Sequence, residues 1–331
     1  LNSTGVKTSN YDKLSTVLEN RLKLTTLNFL VREPILNVRC LLLEQNLIPN
    51  NSAMDVNKVW LQVAKEARKT LYFQFAHSAI LRAGDPTNTY VVMERAKLLW
   101  AQGKNHEAIS LLDDHLTHSA VLQRASNNES NDELSKSDSE MKPKSVVPDI
   151  QSKIELLRVI WMEMTSRGKS ELIISAYNAV VKSSPAWEKS AFYLGKYYNT
   201  IFDTEVNRLK SRKVSSNDSF LTFSVINFAH NVCRYYGKAL TYGCKYYYQS
   251  MSRLLTLWLN LGRDIMPLVE LLETREKEKS KKKLKKDVTE DINWTKEVEK
   301  RVTKFSQINS YILRLSSKLP GYQFLGAMSQ L

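Results

Sequence analysis

The sequence predicts an all-α protein, an irregular α-solenoid built from helix hairpins. Three observations carry that expectation. Glycine and proline are scarce, ten and eight in 331 residues, and both are costly inside helices. Apolar residues recur at the i, i+3, i+4, i+7 spacing of a helix face in segment after segment. No stretch alternates with period two for long, and no Asn-Gly or Asp-Gly hairpin turn occurs.

Residues 1–10 are polar and read as a disordered start. A first helix is predicted from Tyr11 to Arg32, ending at Glu33-Pro34 because the residue before proline avoids the α region. Pro34 then opens a second helix to about Gln45. "NSAMDVNKVWLQVAKEARKTL" is a third, with Val56, Val59, Trp60, Val63, Ala64 and Ala67 on one face and Ser52 with Asp55 as a capping box. A fourth, at about 70–82, stops at Gly84-Asp85-Pro86. Next, Val92, Ala96, Leu99 and Trp100 form one stripe and Ala108, Ile109, Leu112 and Leu116 another. Gly103 lies between them, where a left-handed helix cap is expected. The pair reads as a tetratricopeptide-type hairpin.

Residues 124–148, including "SNNESNDELSKSDSEMKPKSVV", are polar, Ser-rich and without period. They can bury too little to offset their ordering entropy and read as a disordered loop. Helical repeats are thus expected over 11–123 and again over 149–331. In the second part Ile154, Leu157, Trp161 and Met164 lead to Gly168, and Leu172, Ile173, Ala176 and Val180 follow as the other arm of a hairpin. "SPAWEKSAFYLGKYYNTIF" offers Ser184 as N-cap and Pro185 at the first helical position, with a stripe of Trp187, Ala191, Leu194, Tyr198 and Ile201. After a polar break at 210–218, a helix covers about 219–242 up to Gly243, and the next ends at Gly262. A basic loop or exposed helix extension is expected at about 275–290. Further helices follow at about 291–316 and from 321. The hairpins recur irregularly, as in a degenerate tetratricopeptide- or HEAT-like array.

"KYYYQSMSRLLTLWLNLG" (245–262) has three readings: membrane anchor, aromatic platform for bases, or helix core. A span needs about 20 apolar residues, and Lys245, Gln249, Ser250, Arg253 and Asn260 interrupt every such window. Tyr247, Met251, Leu254, Leu255 and Trp258 share one helical face, flanked by Leu257 and Leu261. Base stacking needs exposed rings, whereas this spacing favours burial. The stretch is read as core.

The net charge is +14. "REKEKSKKKLKK" (275–286) holds eight basic residues against two acidic ones and so supplies six of those charges. Within it "KKKLKK" (281–286) has the composition of a nuclear-import or phosphate-binding patch, and equally of a solvated run. Three cysteines, Cys40, Cys233 and Cys244, make no framework and no CxxC. They fit a reducing compartment and, in apolar helical surroundings, a structural role. His115 and His118 with Asp113 and Asp114 could hold a metal, but read as a polar helix end. Ser135, Ser137 and Ser139 could be phosphorylated, though a spacer is the plainer reading. There is no GxGxxG, no GxxxxGK[ST], no DFG and no HRD. No catalytic, cofactor-binding or metal-binding residue is therefore assigned. The chain opens on Leu1 and stops with a helical pattern still running, which reads as an internal fragment.

Several segments carry a family resemblance. "REPILNVRCLLL" (32–43), "VWLQVAKEARK" (59–69), "YVVMERAKLLWAQGKNHEAISLL" (90–112), "SPAWEKSAFYLGKYYN" (184–199), "YGKALTYGCKYYYQSMSRLLTLWLNLG" (236–262) and "LPGYQFLGAMSQL" (319–331) resemble the FAT domain of the phosphatidylinositol-3-kinase-related protein kinases, nearest to the ATR-type branch. "YQSMSRLLTLWL" and "YQFLGAMSQL" are the most specific. Ser252 departs from the family, which commonly has proline there, and 124–148 and 275–290 match nothing in it.

The resemblance implies a helical-repeat scaffold that wraps and supports a kinase domain C-terminal to it and contributes no catalytic residue. It implies a large nuclear parent, a serine/threonine kinase of the DNA-damage and replication checkpoint acting at Ser-Gln and Thr-Gln. ATP and a divalent metal are expected only in that parent's kinase domain. The implied partners are that kinase domain in cis and the ATR-interacting protein, with a homodimer of the parent left open. No membrane is implied, and direct nucleic-acid binding is not expected. Two other readings stand beside it: a free-standing tetratricopeptide-like interaction scaffold, and a basic helical repeat that binds nucleic acid.

Overall fold

A computed structural model describes residues 14, 16–26, 28–44, 53–129, 148–166, 168–211, 222–281 and 289–317. The fold is all-α and of helical-repeat type; among the described residues there is no strand. The helices are α1 (16–24), α2 (Phe29–Glu44), α3 (Ala53–Lys69), α4 (Phe73–Arg82), α5 (Thr89–Ala101), α6 (Asn105–Glu129), α7 (Ile150–Met164), α8 (Ser170–Ser183), α9 (Glu188–Ser211), α10 (Phe223–Tyr242), α11 (Tyr247–Lys281) and α12 (Thr289–Ser316). They fall into two compact units, with α1–α7 in unit 1 and α8–α12 in unit 2.

Unit 1 opens differently from expectation. The first break is at 25–28, not at Pro34, which is the sixth residue of α2. Local capping explains the shift. The Asn28 side chain accepts from the Leu30 amide at 3.1 Å, as an N-cap does. Arg32 reaches back to donate to the Thr26, Leu22 and Thr25 carbonyls at 3.0, 3.1 and 3.1 Å, so it satisfies the free end of α1. The same guanidinium pairs with the buried carboxylate of Glu66 on α3 at 3.2 Å.

The third helix is as predicted. Val59, Trp60, Val63, Ala64 and Ala67 are buried and Val56 packs at the edge of the same cluster, with Leu36, Cys40, Ala76 and Ile80 from α2 and α4. Ser52 of the expected capping box lies outside the described residues. A second cluster joins α5, α6 and α7 through Val92, Ala96, Ala108, Ile109, Leu112 and Ile154. Beside it Trp100 and Trp161 stack at 4.5 Å with rings 4° apart. So α7 packs on α5 and α6. Of the expected α7–α8 hairpin, α7 belongs to unit 1 and α8 to unit 2, the division falling at Gly168. Met164 and Leu172, assigned to its inner stripes, are 68% and 60% exposed.

Gly103 ends α5 as expected, with φ +81°. Its amide donates to Trp100 and the Lys104 amide to Leu99, both at 3.0 Å, which is the Schellman pattern. A Cβ there would meet nothing within 4 Å, so the requirement is purely conformational. Gly103→Ala is expected to lower stability by about 1 kcal/mol, and Gly103→Asn by less, because Asn tolerates the left-handed region better. Urea midpoints of the two variants check this; equal losses would count against it.

In unit 2, α10 is central and packs on α9, α11 and α12. Ser184 does not cap α9. Its amide donates to Val180 at 3.1 Å, closing α8, and Pro185-Ala186 form the turn before α9 starts at Glu188. Gly243 has φ −177°, ordinary extended backbone. What it supplies is space, since a Cβ would fall 2.3 Å from Oε2 of Glu188. Oε1 of Glu188 accepts from the Tyr246 amide at 2.9 Å. Gly262 was expected to end a helix, but α11 continues past it and past Pro267 to Lys281. Leu261 and Ile265, 2% and 0% exposed, carry the buried face across that point. Part of the basic run thus lies on a helix extension.

Candidate functional site

The residues singled out from sequence separate cleanly. In 245–262, Tyr247, Met251, Leu254, Leu255, Leu257 and Leu261 are buried, as helical spacing predicted, whereas Trp258 of the same face is half-buried. Among the described residues no helix is long and apolar enough to cross a membrane. Tyr248 and Leu259 are 66% and 51% exposed on the outer face. Arg253 of the same helix donates to Oδ1 of Asn199 at 2.6 Å and pairs with Asp203, so it pins α11 to α9.

Asp113 pairs with Arg158, which joins α6 to α7. Asp114 and His118 face solvent. Nε2 of His115 is buried without a partner among the described residues, and burial, then His118, pushes its pKa below the usual imidazole value. No group of three or more His, Cys, Asp or Glu able to hold a metal occurs among the described residues.

The cysteines differ from one another. Cys40 and Cys233 are buried, and burial pushes their thiols up to about 11 and about 12. Cys244 was expected in apolar helical surroundings; it lies exposed in the turn between α10 and α11. Under native conditions at pH 8, iodoacetamide is expected to modify Cys244 and spare the other two, which react only after unfolding. Mass spectrometry of the labelled peptides decides it. Ser135, Ser137, Ser139, the run 282–286 and the segment 319–331 lie outside the described residues.

Sequence reasoning missed three polar constellations. Glu94 is 5% exposed and receives Arg68 at 2.6 Å and Lys97 at 3.2 Å. Its place on α5, three residues after Val91 and four before Leu98, both buried, was a readable signal. Arg32 with Glu66 is the second. The third is the seam between α10 and α12. There a cavity of about 610 Å³ lies between His230 and Arg234 on one bank and Thr303, Ser306, Ser310 and Arg314 on the other. A neighbouring cavity of about 450 Å³ runs from Phe223 along Lys296, Glu299, Lys300 and Lys304, and the two share Thr303 and Gln307.

The hydroxyl of Tyr311 donates to the Arg234 carbonyl at 3.1 Å and closes the floor of this seam. Burial pushes its pKa up to about 12. His230 is held below the usual imidazole value by burial, then by Lys304 and Arg234. Close approach makes the seam possible, because a Cβ on Gly237 would fall 2.3 Å from the Tyr311 hydroxyl oxygen. Across both units the polar groups brought together inside the fold join helices to one another. The seam has groups suited to binding anions.

The FAT domain pattern matches residues 2–256. Protein kinase rad3 of Schizosaccharomyces pombe is 25% identical over 274 residues, covering 83% of this chain and 10% of that protein. Serine/threonine-protein kinase ATR of Arabidopsis thaliana is 29% identical over 264 residues, 74% of this chain and 10% of its own length. The ATR kinase of Oryza sativa subsp. indica is 30% identical over 275 residues, 76% of this chain and again 10% of its own length. The chain thus spans about a tenth of the curated relatives it matches. The matched pattern ends within α11, before α12 and the "YQFLGAMSQL" segment.

Proposed function

The chain belongs to the FAT-domain family, in the form carried by ATR-like kinases, and from that premise we propose that it is a non-catalytic helical frame that supports and regulates the kinase domain of a larger serine/threonine kinase. The observation that supports this reading is the FAT match over residues 2–256, together with relatives named as ATR and rad3 kinases. In this reading the parent acts in the nucleus, in the DNA-damage and replication checkpoint. Its own kinase domain, in cis, is the first partner. The ATR-interacting protein is a second. ATP and its divalent metal bind in the kinase domain, not here.

Physically, stacked helices transmit displacement as rigid bodies when their contacts are close and specific. Unit 2 has such contacts, at Gly195 against Tyr236 and at Gly237 against Tyr311. A shift of one helix therefore moves its neighbour instead of being absorbed.

The test is made in the full-length parent. Deleting 184–262 is expected to abolish or deregulate phosphorylation of a Ser-Gln peptide, while the 331-residue chain alone has no such activity. Unchanged activity and activation after the deletion would contradict the scaffold reading, as would ATP turnover by the chain alone.

A further inference from the structure

We propose that the α10–α12 seam of unit 2 is a docking groove for an acidic, extended peptide segment of a partner protein. Lys296, Lys300 and Lys304 succeed one another at i, i+4, i+8 on α12, which places them about 6 Å apart along the helix axis. Arg314 continues the bank, and His230 and Arg234 face it from α10. Glu299 is the one carboxylate among the described residues that line the two cavities. The ion pair between Arg301 and Glu297 on α12 involves neither cavity. Like charges one turn apart are mildly unfavourable for a helix alone, and an anionic ligand reverses that sign.

The dimensions select the ligand. In an extended chain every second side chain points the same way, about 6.6 Å apart. Alternate carboxylates therefore meet successive lysines of α12. Between them the Gln307 amide and the Ser306 hydroxyl can donate to or accept from a peptide backbone, while the Thr303 and Ser310 hydroxyls, which donate to the Glu299 and Ser306 carbonyls at 2.8 and 2.9 Å, are left to accept from its N–H groups. A nucleic acid is a poorer fit, because single strands bind through stacking on exposed rings. Phe223 at one end, 40% exposed, and Tyr311, tied to the Arg234 carbonyl, are the aromatic residues lining the cavities.

The experiment is fluorescence anisotropy with the full 331-residue chain and a labelled short peptide of alternating Glu and Ser. A Gln/Ser peptide and an oligothymidylate serve as comparisons. The Glu/Ser peptide is expected to bind saturably at low salt and the Gln/Ser peptide not to bind. Lys300→Glu with Lys304→Glu is expected to weaken binding by about tenfold or more. Arg234→Ser on the opposite bank tests the groove independently, and Lys182→Glu, exposed on α8, leaves affinity unchanged. Helical circular dichroism confirms that each variant is folded. The proposal is overturned by absence of saturable peptide binding, or by folded charge-reversed variants that bind as before. It also falls if oligothymidylate displaces the peptide and loses its own binding in the same variants. None of these outcomes depends on kinase activity, so the scaffold reading is tested separately.

Discussion

Replacing Arg68 by methionine is expected to lower the stability of unit 1 by about 3 kcal/mol. The carboxylate of Glu94 is 5% exposed. Arg68 donates to its Oε1 through Nε at 2.8 Å and Nη2 at 2.6 Å, from α3 across to α5. Without the guanidinium, a buried charge keeps only Lys97 at 3.2 Å. Breaking a buried pair from one side typically costs about 3–5 kcal/mol, because the remaining ion stays desolvated. Lys97 holds the loss to the lower end of that range. Methionine retains most of the aliphatic stem, so lost packing contributes little. Glu94→Leu added to Arg68→Met removes the stranded charge and should recover most of the loss. Urea unfolding followed by tryptophan fluorescence checks this: Trp60, Trp100 and Trp161 report on unit 1 and Trp187, Trp258 and Trp294 on unit 2, and it is the unit 1 transition that should shift. If the double variant is no more stable than Arg68→Met, the desolvated carboxylate is not the cause.

That pair also marks where sequence reading stopped. Faces built from small and branched apolar residues, such as Val59, Val63, Ala64 and Ala67 on α3, were legible because one physical effect decides them. Gly103 was legible for a similar reason, as its left-handed φ follows from local geometry alone. The misplaced boundaries are those where a distant group intervenes. Pro34 has the local signature of a breaker, yet Asn28 and the wrap of Arg32 fix the break six residues earlier. Gly262 was read as a terminus, yet Leu261 and Ile265 are buried on either side of it, and burial overrides the weak local preference. Ser184 carries the chemistry of an N-cap but closes the helix before it. Of the candidate site, the core character of 245–262 was readable. The α10–α12 seam was not, because its two banks are about seventy residues apart in sequence, and only the lysine ladder of α12 shows in the chain itself.

Gly195 offers the sharper test of how unit 2 is held. A Cβ at this position would lie 2.9 Å from Cδ1 of Tyr236, 3.1 Å from its Cε1 and 3.2 Å from its backbone nitrogen. Two effects oppose each other in Gly195→Ala. Alanine favours the helix by about 1 kcal/mol over glycine, and overpacking a close contact costs about 1–3 kcal/mol. The second wins here, because the obstruction includes backbone, which cannot rotate aside; α9 and α10 must separate. A net loss of about 1 kcal/mol is expected for alanine, and more for valine, which brings further methyl groups and less helix propensity. Gly237 provides the internal contrast, since there the three nearest atoms all belong to the Tyr311 side chain. Tyr311→Leu should therefore rescue Gly237→Ala, while no substitution at Tyr236 should fully rescue Gly195→Ala. Thermal unfolding of these variants separates the cases. If Gly195→Ala is neutral or stabilising, the α9–α10 approach is looser than its geometry implies, and a rigid transfer of motion through unit 2 loses its physical basis.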